Sequence, residues 1–251
     1  MVNFVGAGSG APDLITLRGF ELIKKADVII YAGSLVNPEL LKNARVDCEI
    51  YNSALMTLDE VIEVMASSEK AGKMTVRLHT GDPSVFGAVR EQFDRLERLG
   101  IPYTVTPGVS SFCAAAAALK AEYTLPGITQ SVIITRREGK TAVPEKERIR
   151  ELAKHTATMV IFLSASMTLQ LSQELVEGGY SPETPCAIVC KASWEDEKIC
   201  RCDLKTLAQT AEKNGITKTA LICVGDFLGD NYSLSKLYDK SFETEFRKAA
   251  P

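Results

Sequence analysis

The sequence predicts an α/β protein of two alternating halves with mainly parallel or mixed sheets, and three observations predict it. Short β-rich runs alternate with longer segments of helical period, the rhythm of βαβ units. Three loops bearing glycine or proline come just past strand runs, where open α/β sheets carry their ligands. Periodicity then lapses between Lys120 and Thr129, around the breaker Pro126-Gly127, which reads as a linker.

In the first half, Asn3–Val5 reads as a strand leading into helix Leu14–Lys25. Strand Val28–Tyr31 and helix Leu58–Ser67 follow, then strand Thr75–Leu78 with helix Val85–Leu99, strand Tyr103–Val105, and the Ala-rich helix Phe112–Leu119. The second half reads as strand Ser131–Thr135, helix Glu145–Lys154, strand Met159–Leu163, helix Thr168–Glu177 and strand Cys186–Cys190. It continues with a strand near Ile199–Cys202, helix Leu204–Asn214 and strand Ala220–Val224. Periodicity is weak from Gly225 onward, and the last residues are polar enough to fray. The expected organisation is an N-terminal domain over 1–120, a C-terminal domain over 121–237 and a polar tail over 238–251.

Composition narrows the function classes. With 45% hydrophobic and 24% charged residues in 251, fibrous and wholly disordered classes are excluded. A net charge of −3 argues against a nucleic-acid binder that relies on a general positive field. The longest apolar run, Phe112–Leu119, falls far short of the roughly 20 residues that span a bilayer, so no membrane association is expected. Gly6, Gly8, Gly10 and Pro12 interrupt any leader pattern, and the expected location is the cytoplasm. Seven cysteines without a C-x-x-C pair, and only His79 and His155 beside them, give no zinc pattern; reduced, packed thiols are expected.

The first loop, Gly6-Ala7-Gly8-Ser9-Gly10-Ala11, satisfies the dinucleotide fingerprint G-x-G-x-x-G/A. The acidic residue which that fingerprint needs at the end of the next strand is missing, since Val28–Tyr31 runs into Ala32-Gly33-Ser34. A nicotinamide oxidoreductase and a purely structural tight turn therefore both remain open. In the second loop, His79-Thr80-Gly81-Asp82-Pro83-Ser84, Asp82 has two readings of equal weight: ligand contact, or cap of the following helix. A third loop, Thr106-Pro107-Gly108-Val109-Ser110-Ser111, lies on the same edge, and three such loops together predict a small-molecule cleft.

Three segments in this order and spacing, Val5 to Gly19, Gly81-Asp82-Pro83-Ser84-Val85-Phe86-Gly87 and Pro107-Gly108-Val109-Ser110-Ser111, resemble the tetrapyrrole methyltransferases that use S-adenosylmethionine. The second half fits the same family through Val160-Ile161-Phe162-Leu163 and Ala220-Leu221-Ile222-Cys223-Val224-Gly225. The resemblance implies a class III methyltransferase fold, in which two α/β domains with mainly parallel or mixed sheets enclose a ligand cleft, and a homodimer. Tyr31-Ala32-Gly33-Ser34-Leu35-Val36, Asn52 to Leu58, and Thr135 to Glu145 are similar to the branch that methylates carbon 11 of precorrin-4 or its cobalt complex. Uroporphyrinogen III methyltransferases carry an aspartate where this chain has Ala32, so their acid-base residue does not transfer, and no catalytic base is named.

Carried across position by position, the resemblance implies cofactor contacts at Ser9, Gly81, Asp82, Val85, Ser110, Ser111, Leu163 and Ala192. Ser9 stands where many relatives have proline, Ser110-Ser111 replace a Thr-Ala pair, and Leu163 replaces methionine; hydroxyl and apolar bulk are kept. Tyr31, Asn52 and Ser53 are candidate substrate contacts. So are Arg136, Arg137 and Lys140, whose charges suit a substrate bearing several carboxylates, against the alternative of a solvated loop. Trp194 reads as a partly buried anchor of the second domain. Methyl transfer from a sulfonium asks the protein mainly to align two molecules and exclude water, with no resident metal. The alternatives are a diphthine synthase-like or ribosomal RNA ribose methyltransferase-like enzyme, the nicotinamide oxidoreductase, and a non-catalytic binding module. Whether the substrate carries cobalt stays open.

Overall fold

A computed structural model of the protein describes residues 1–249. The chain divides into two compact units, Met1–Ala115 with Lys191–Glu197, and Ala116–Cys190 with Lys198 onward.

The first unit is built on a five-stranded parallel sheet. Its strands are β1 Val2–Gly6, β2 Val28–Tyr31, β3 Glu49–Asn52, β4 Thr75–His79 and β5 Tyr103–Thr106, in the spatial order β3-β2-β4-β1-β5. Two of the three interior strands, β1 and β4, are buried at every residue, the pattern of a parallel strand covered on two faces. The edge strand β3 escaped the sequence reading. Its residues Glu-Ile-Tyr-Asn are exposed or half-buried, so it carries no apolar run to announce it.

Helix α1 (Leu17–Lys25) lies on one face, where Ile23 packs with Val5, Ile29, Val76 and Leu78. Helices α2 (Leu58–Lys70) and α3 (Arg90–Arg98) cover the other, bringing Val61, Ile62, Met65 and Leu96 against Val2, Phe4, Val28 and Ile30. A capping box of Thr57 and Glu60 starts α2. Two helices begin later than their periodicity suggests. Pro12–Leu14 form a 3-10 turn, and α1 starts only after Thr16, whose hydroxyl accepts the Gly19 amide at 3.2 Å. Pro83–Val89 stay non-helical: Phe86 and Ala88 adopt positive φ (54° and 48°), which no helix contains.

The second unit carries a mixed sheet in the order β6-β7-β10-β8-β9. Its strands are β6 Val132–Arg136, β7 Thr158–Phe162, β8 Pro185–Cys190, β9 Lys198–Asp203 and β10 Ala220–Val224. Only β6 and β7 run parallel; β10 is antiparallel to both its neighbours, and β8 to β9. Helix α4 (Ser111–Leu119) straddles the division between the units in sequence. Helices α5 (Ile149–Ala153), α6 (Thr168–Gly178) and α7 (Leu207–Lys213) bury Ile149, Leu171, Leu175 and Leu207 against Met159, Ile161, Ile188 and Ile222 of one sheet face. At the end of the chain, the Arg247 guanidinium donates to the carbonyls of Leu237, Asp239 and Phe242 at 2.7, 2.9 and 3.2 Å, tying down a segment expected to fray. Residues 250–251 of the expected tail lie outside the described residues. No helix among the described residues is long and apolar enough to cross a membrane.

Candidate functional site

The adjacent strands β1 and β4 send their connections to opposite faces of the sheet, because α1 and α3 lie on different sides. Such a divergence is where open α/β sheets bind their ligands, at the carboxyl ends of the strands. The three predicted loops meet there through backbone alone. Ala7 N donates to His79 O at 2.7 Å, and Gly8 and Gly81 form an isolated antiparallel bridge whose two hydrogen bonds are 3.3 and 2.8 Å. A Cβ on Gly108 would lie 2.1 Å from Gly81 O, and one on Gly6 would lie 2.6 Å from Gly108 Cα and from Gly81 O. Absent side chains therefore let three strand ends touch, and a fingerprint read from one loop proves to be a junction of three.

Asp82 holds the junction together. Its Oδ2 accepts the Gly108 amide at 2.8 Å, and its Oδ1 accepts the Ser84 amide at 2.8 Å together with the Ser84 hydroxyl. Since α3 begins only at Arg90, Asp82 caps no helix. Partial burial raises the Asp82 pKa, but the bonds from the Ser84 hydroxyl and the Gly108 and Ser84 amides outweigh it and hold the group below its ordinary value. Val85 N donates to Asp82 O at 3.3 Å, and Ser110 and Ser111 stand beside Gly81.

The lip of the first loop is closed from far along the chain. Ser193 Oγ lies 2.8 Å from Ser9 Oγ and accepts the Ala11 amide at 3.1 Å, while Trp194 Nε1 donates to Ser9 O at 3.2 Å. The indole lies flush on Gly10, where a Cβ would come within 2.1 Å of it. Trp194 is thus an anchor, but for the first glycine loop rather than for the second unit. Ala192, buried beside Ser193, belongs to this same closing segment.

Two polar groups here carried no sequence signal. His79 Nε2 and Thr80 Oγ1 are buried without a hydrogen-bond partner at the end of β4. Desolvation, reinforced by the positive charge of Arg77, pushes the His79 pKa down to about 3, so the imidazole is neutral. Arg77 is itself buried, donating to Gln92 Oε1 at 3.1 Å and Ile30 O at 3.2 Å.

The expected substrate contacts form two groups. Tyr31 and Asn52 are register partners at the ends of β2 and β3, and Ser53 Oγ donates to Tyr31 O at 3.0 Å. Asn52 Oδ1 accepts the Ala54 amide at 3.0 Å, capping a short 3-10 turn. In the second unit, Arg136 donates to the carbonyls of Thr141 and Ala142 at 3.1 and 2.8 Å, folding the loop after β6 back on itself. Arg137 sets its fork on Glu174 Oε1 at 3.1 and 2.6 Å, and Lys140 is exposed in the same loop. Leu163 follows the last residue of β7 at φ 52° and is 65% exposed, while Ser164 Oγ accepts the Arg137 amide at 2.9 Å. An apolar side chain held out to solvent on left-handed backbone is costly for packing alone. Among the described residues no group of three or more His, Cys, Asp or Glu side chains is arranged to hold a metal ion.

A dinucleotide reading loses its geometric support, since α1 starts at Leu17 and so presents no helix N-terminus directly after the glycine loop. Comparison with known proteins points elsewhere. The chain is 57% identical over 249 residues to the cobalt-precorrin-4 C(11)-methyltransferase of Methanocaldococcus jannaschii, covering 99% of this chain and 96% of that protein. The X-ray structure of the cobalamin biosynthetic enzyme cobalt precorrin-4 methyltransferase CbiF superposes with a TM-score of 0.89 at 44% identity, covering 91% of this chain and 96% of that one. The uroporphyrin-III C-methyltransferase of Thermus thermophilus complexed with S-adenosylhomocysteine superposes with a TM-score of 0.76 at 28% identity, covering 90% and 92%. With the family profile matching residues 1–208 as well, this chain belongs to the tetrapyrrole (corrin/porphyrin) methylases and is a methyltransferase.

Proposed function

We propose that the protein transfers a methyl group from S-adenosylmethionine to carbon 11 of precorrin-4 or its cobalt complex, as a step of corrin biosynthesis. The observation that carries the acceptor is the near full-length identity of 57% to a protein named for that reaction. A relative in this family bound to S-adenosylhomocysteine supports the cofactor. The residues present fit such a group: bare backbone at Gly6 and Gly108 where three loops meet beside Gly81, and two buried polar atoms, His79 Nε2 and Thr80 Oγ1, without partners.

When bound, S-adenosylmethionine supplies an electrophilic methyl group on a sulfonium. Ser9, Gly81, Asp82, Val85, Ser110, Ser111, Leu163 and Ala192 bind it in this reading. Asp82 acts by fixing the Gly108 loop, and Leu163 by offering apolar surface. The acceptor is an electron-rich tetrapyrrole with its own nucleophilic carbon, so the chain's work is to orient it and exclude water. Arg136, Arg137 and Lys140 meet the carboxylate periphery, with Arg137, braced by Glu174, also setting the loop from which the other two act. Tyr31, Asn52 and Ser53 contact the same substrate. Cobalt, where present, belongs to the substrate, and the working form is a cytoplasmic homodimer.

The test is incubation with labelled S-adenosylmethionine and either cobalt-bearing or cobalt-free precorrin-4. Mass spectrometry is expected to show one added methyl on carbon 11 of one of them. Stabilisation by NADH in place of S-adenosylhomocysteine, or methylation of RNA or protein instead, overturns the reading.

A further inference from the structure

Outside the site described, the second sheet brings two thiols together. Cys186 on β8 and Cys202 on β9 are register partners across an antiparallel pair, and their sulfurs lie 3.3 Å apart. Cys186 is buried against the core of α5, α6 and α7, whereas Cys202, on the edge strand, is only partly buried. We propose that this pair is an oxidation site that closes to a reversible intrachain disulfide when the protein meets a peroxide.

The register supplies the reach. Side chains directly opposite on antiparallel strands hold their Cβ atoms about 4.5–5.5 Å apart, and a disulfide needs about 3.5–4.5 Å, so closure asks for a shift of about 1 Å. A bridge made with such strain is readily reduced, which makes the modification reversible. The polarity of the pair also fits. Hydrogen bonding from the Cys186 thiol, with help from the Thr210 hydroxyl, pulls the Cys202 thiol below its ordinary pKa against the opposing burial and the Asp203 carboxylate. The same contact, with desolvation, pushes Cys186 up. Cys202 is therefore the attacking sulfur and Cys186 the resolving one.

The step balances. The Cys202 thiolate attacks one peroxide oxygen; an S–O bond forms, the O–O bond breaks, and hydroxide leaves and takes up a proton as water. The Cys186 sulfur then attacks the sulfenic sulfur of Cys202, forming the S–S bond and breaking the S–O bond, and its proton leaves with the departing hydroxide as a second water. Two electrons pass from the two thiols to the peroxide.

Hydrogen peroxide treatment of the full chain, followed by peptide mapping without reductant, tests this. The expected result is a Cys186–Cys202 linked peptide, a mass loss of about 2 Da, and a fall in titratable thiols from seven to five, all restored by dithiothreitol. Cys186→Ser is expected to leave Cys202 as a dimedone-reactive sulfenic acid, and Cys202→Ser to leave Cys186 reduced. Because the wild-type map needs neither variant, a folding defect in Cys186→Ser does not shield the proposal. Thiol loss through other pairs, or through irreversible oxidation, overturns it. So does a pair that stays reduced while the exposed Cys113 is oxidised.

Discussion

The loops after β1, β4 and β5 in the first unit and the loop after β6 in the second are built by opposite means. In the first unit three loops are locked by backbone groups and by missing Cβ atoms, with one carboxylate, Asp82, as the pin. In the second unit the loop after β6 is shaped by long side chains: Arg136 holds the Thr141 and Ala142 carbonyls and Arg137 reaches Glu174. A backbone junction has no rotamers to lose and tolerates no added atom, so it suits a ligand of fixed shape. A loop held by guanidinium groups tolerates truncation more easily and suits a flexible, charged periphery.

This contrast is broken or sharpened by substitution. The largest effect is expected for Gly108→Ala, whose Cβ meets Gly81 O at 2.1 Å. Overpacking of rigid backbone there is expected to cost about 3 kcal/mol, read as a drop in thermal midpoint together with lost stabilisation by S-adenosylhomocysteine. Asp82→Asn removes the charge and one strong acceptor, at a cost of about 2 kcal/mol in chemical denaturation. The depressed Asp82 pKa means that this contribution is present above the unfolded carboxylate pKa and is lost as pH falls through the lower folded value, so wild type and variant converge in acid.

His79 tests the junction through pH. Its folded pKa, about 3, lies below the ordinary 6.5, so the unfolded chain binds more protons between those values. Stability is expected to fall as pH drops through that window, by up to about 1.4 kcal/mol per pH unit from this group. In His79→Gln that slope is expected to flatten in denaturant titrations at pH 7 and pH 5. On the second unit, Arg136→Ala is expected to raise the substrate KM or lower turnover about tenfold, or about 1.4 kcal/mol, while calorimetry finds S-adenosylhomocysteine affinity nearly unchanged. Equal loss of cofactor binding counts against a substrate role. The smallest effect is expected for Lys140→Ala, in which an exposed cation is lost: a KM change of about threefold, under about 1 kcal/mol, and no shift in thermal midpoint.

What the sequence made legible follows the same division. Short β-rich runs mark β1, β2, β4 and β10, and β10 matches its expected bounds of Ala220–Val224. The mixed sheet of the second unit was open in the sequence, because strand direction is set by pairing and leaves no local trace. Asp82 was undecided between cap and ligand contact until the helix start at Arg90 removed the first option. Ser193 could not be found beforehand, since its partner Ser9 lies 184 residues away. The one available hint to its neighbour was a large indole needing a bare backbone to rest on, which Gly10 supplies. His79 gave no signal either, because neutrality forced by burial depends on Arg77 and the packing around it.

The seal over Ser9 has a temporal consequence. Residues 9–11 are made well before residues 191–197 and wait for them before their rim is complete. Until then the strands of the parallel sheet are all made, but the rim of the first loop lacks its partners. A fragment ending before Lys191 would leave the Ala11 amide and the Ser9 hydroxyl without these partners.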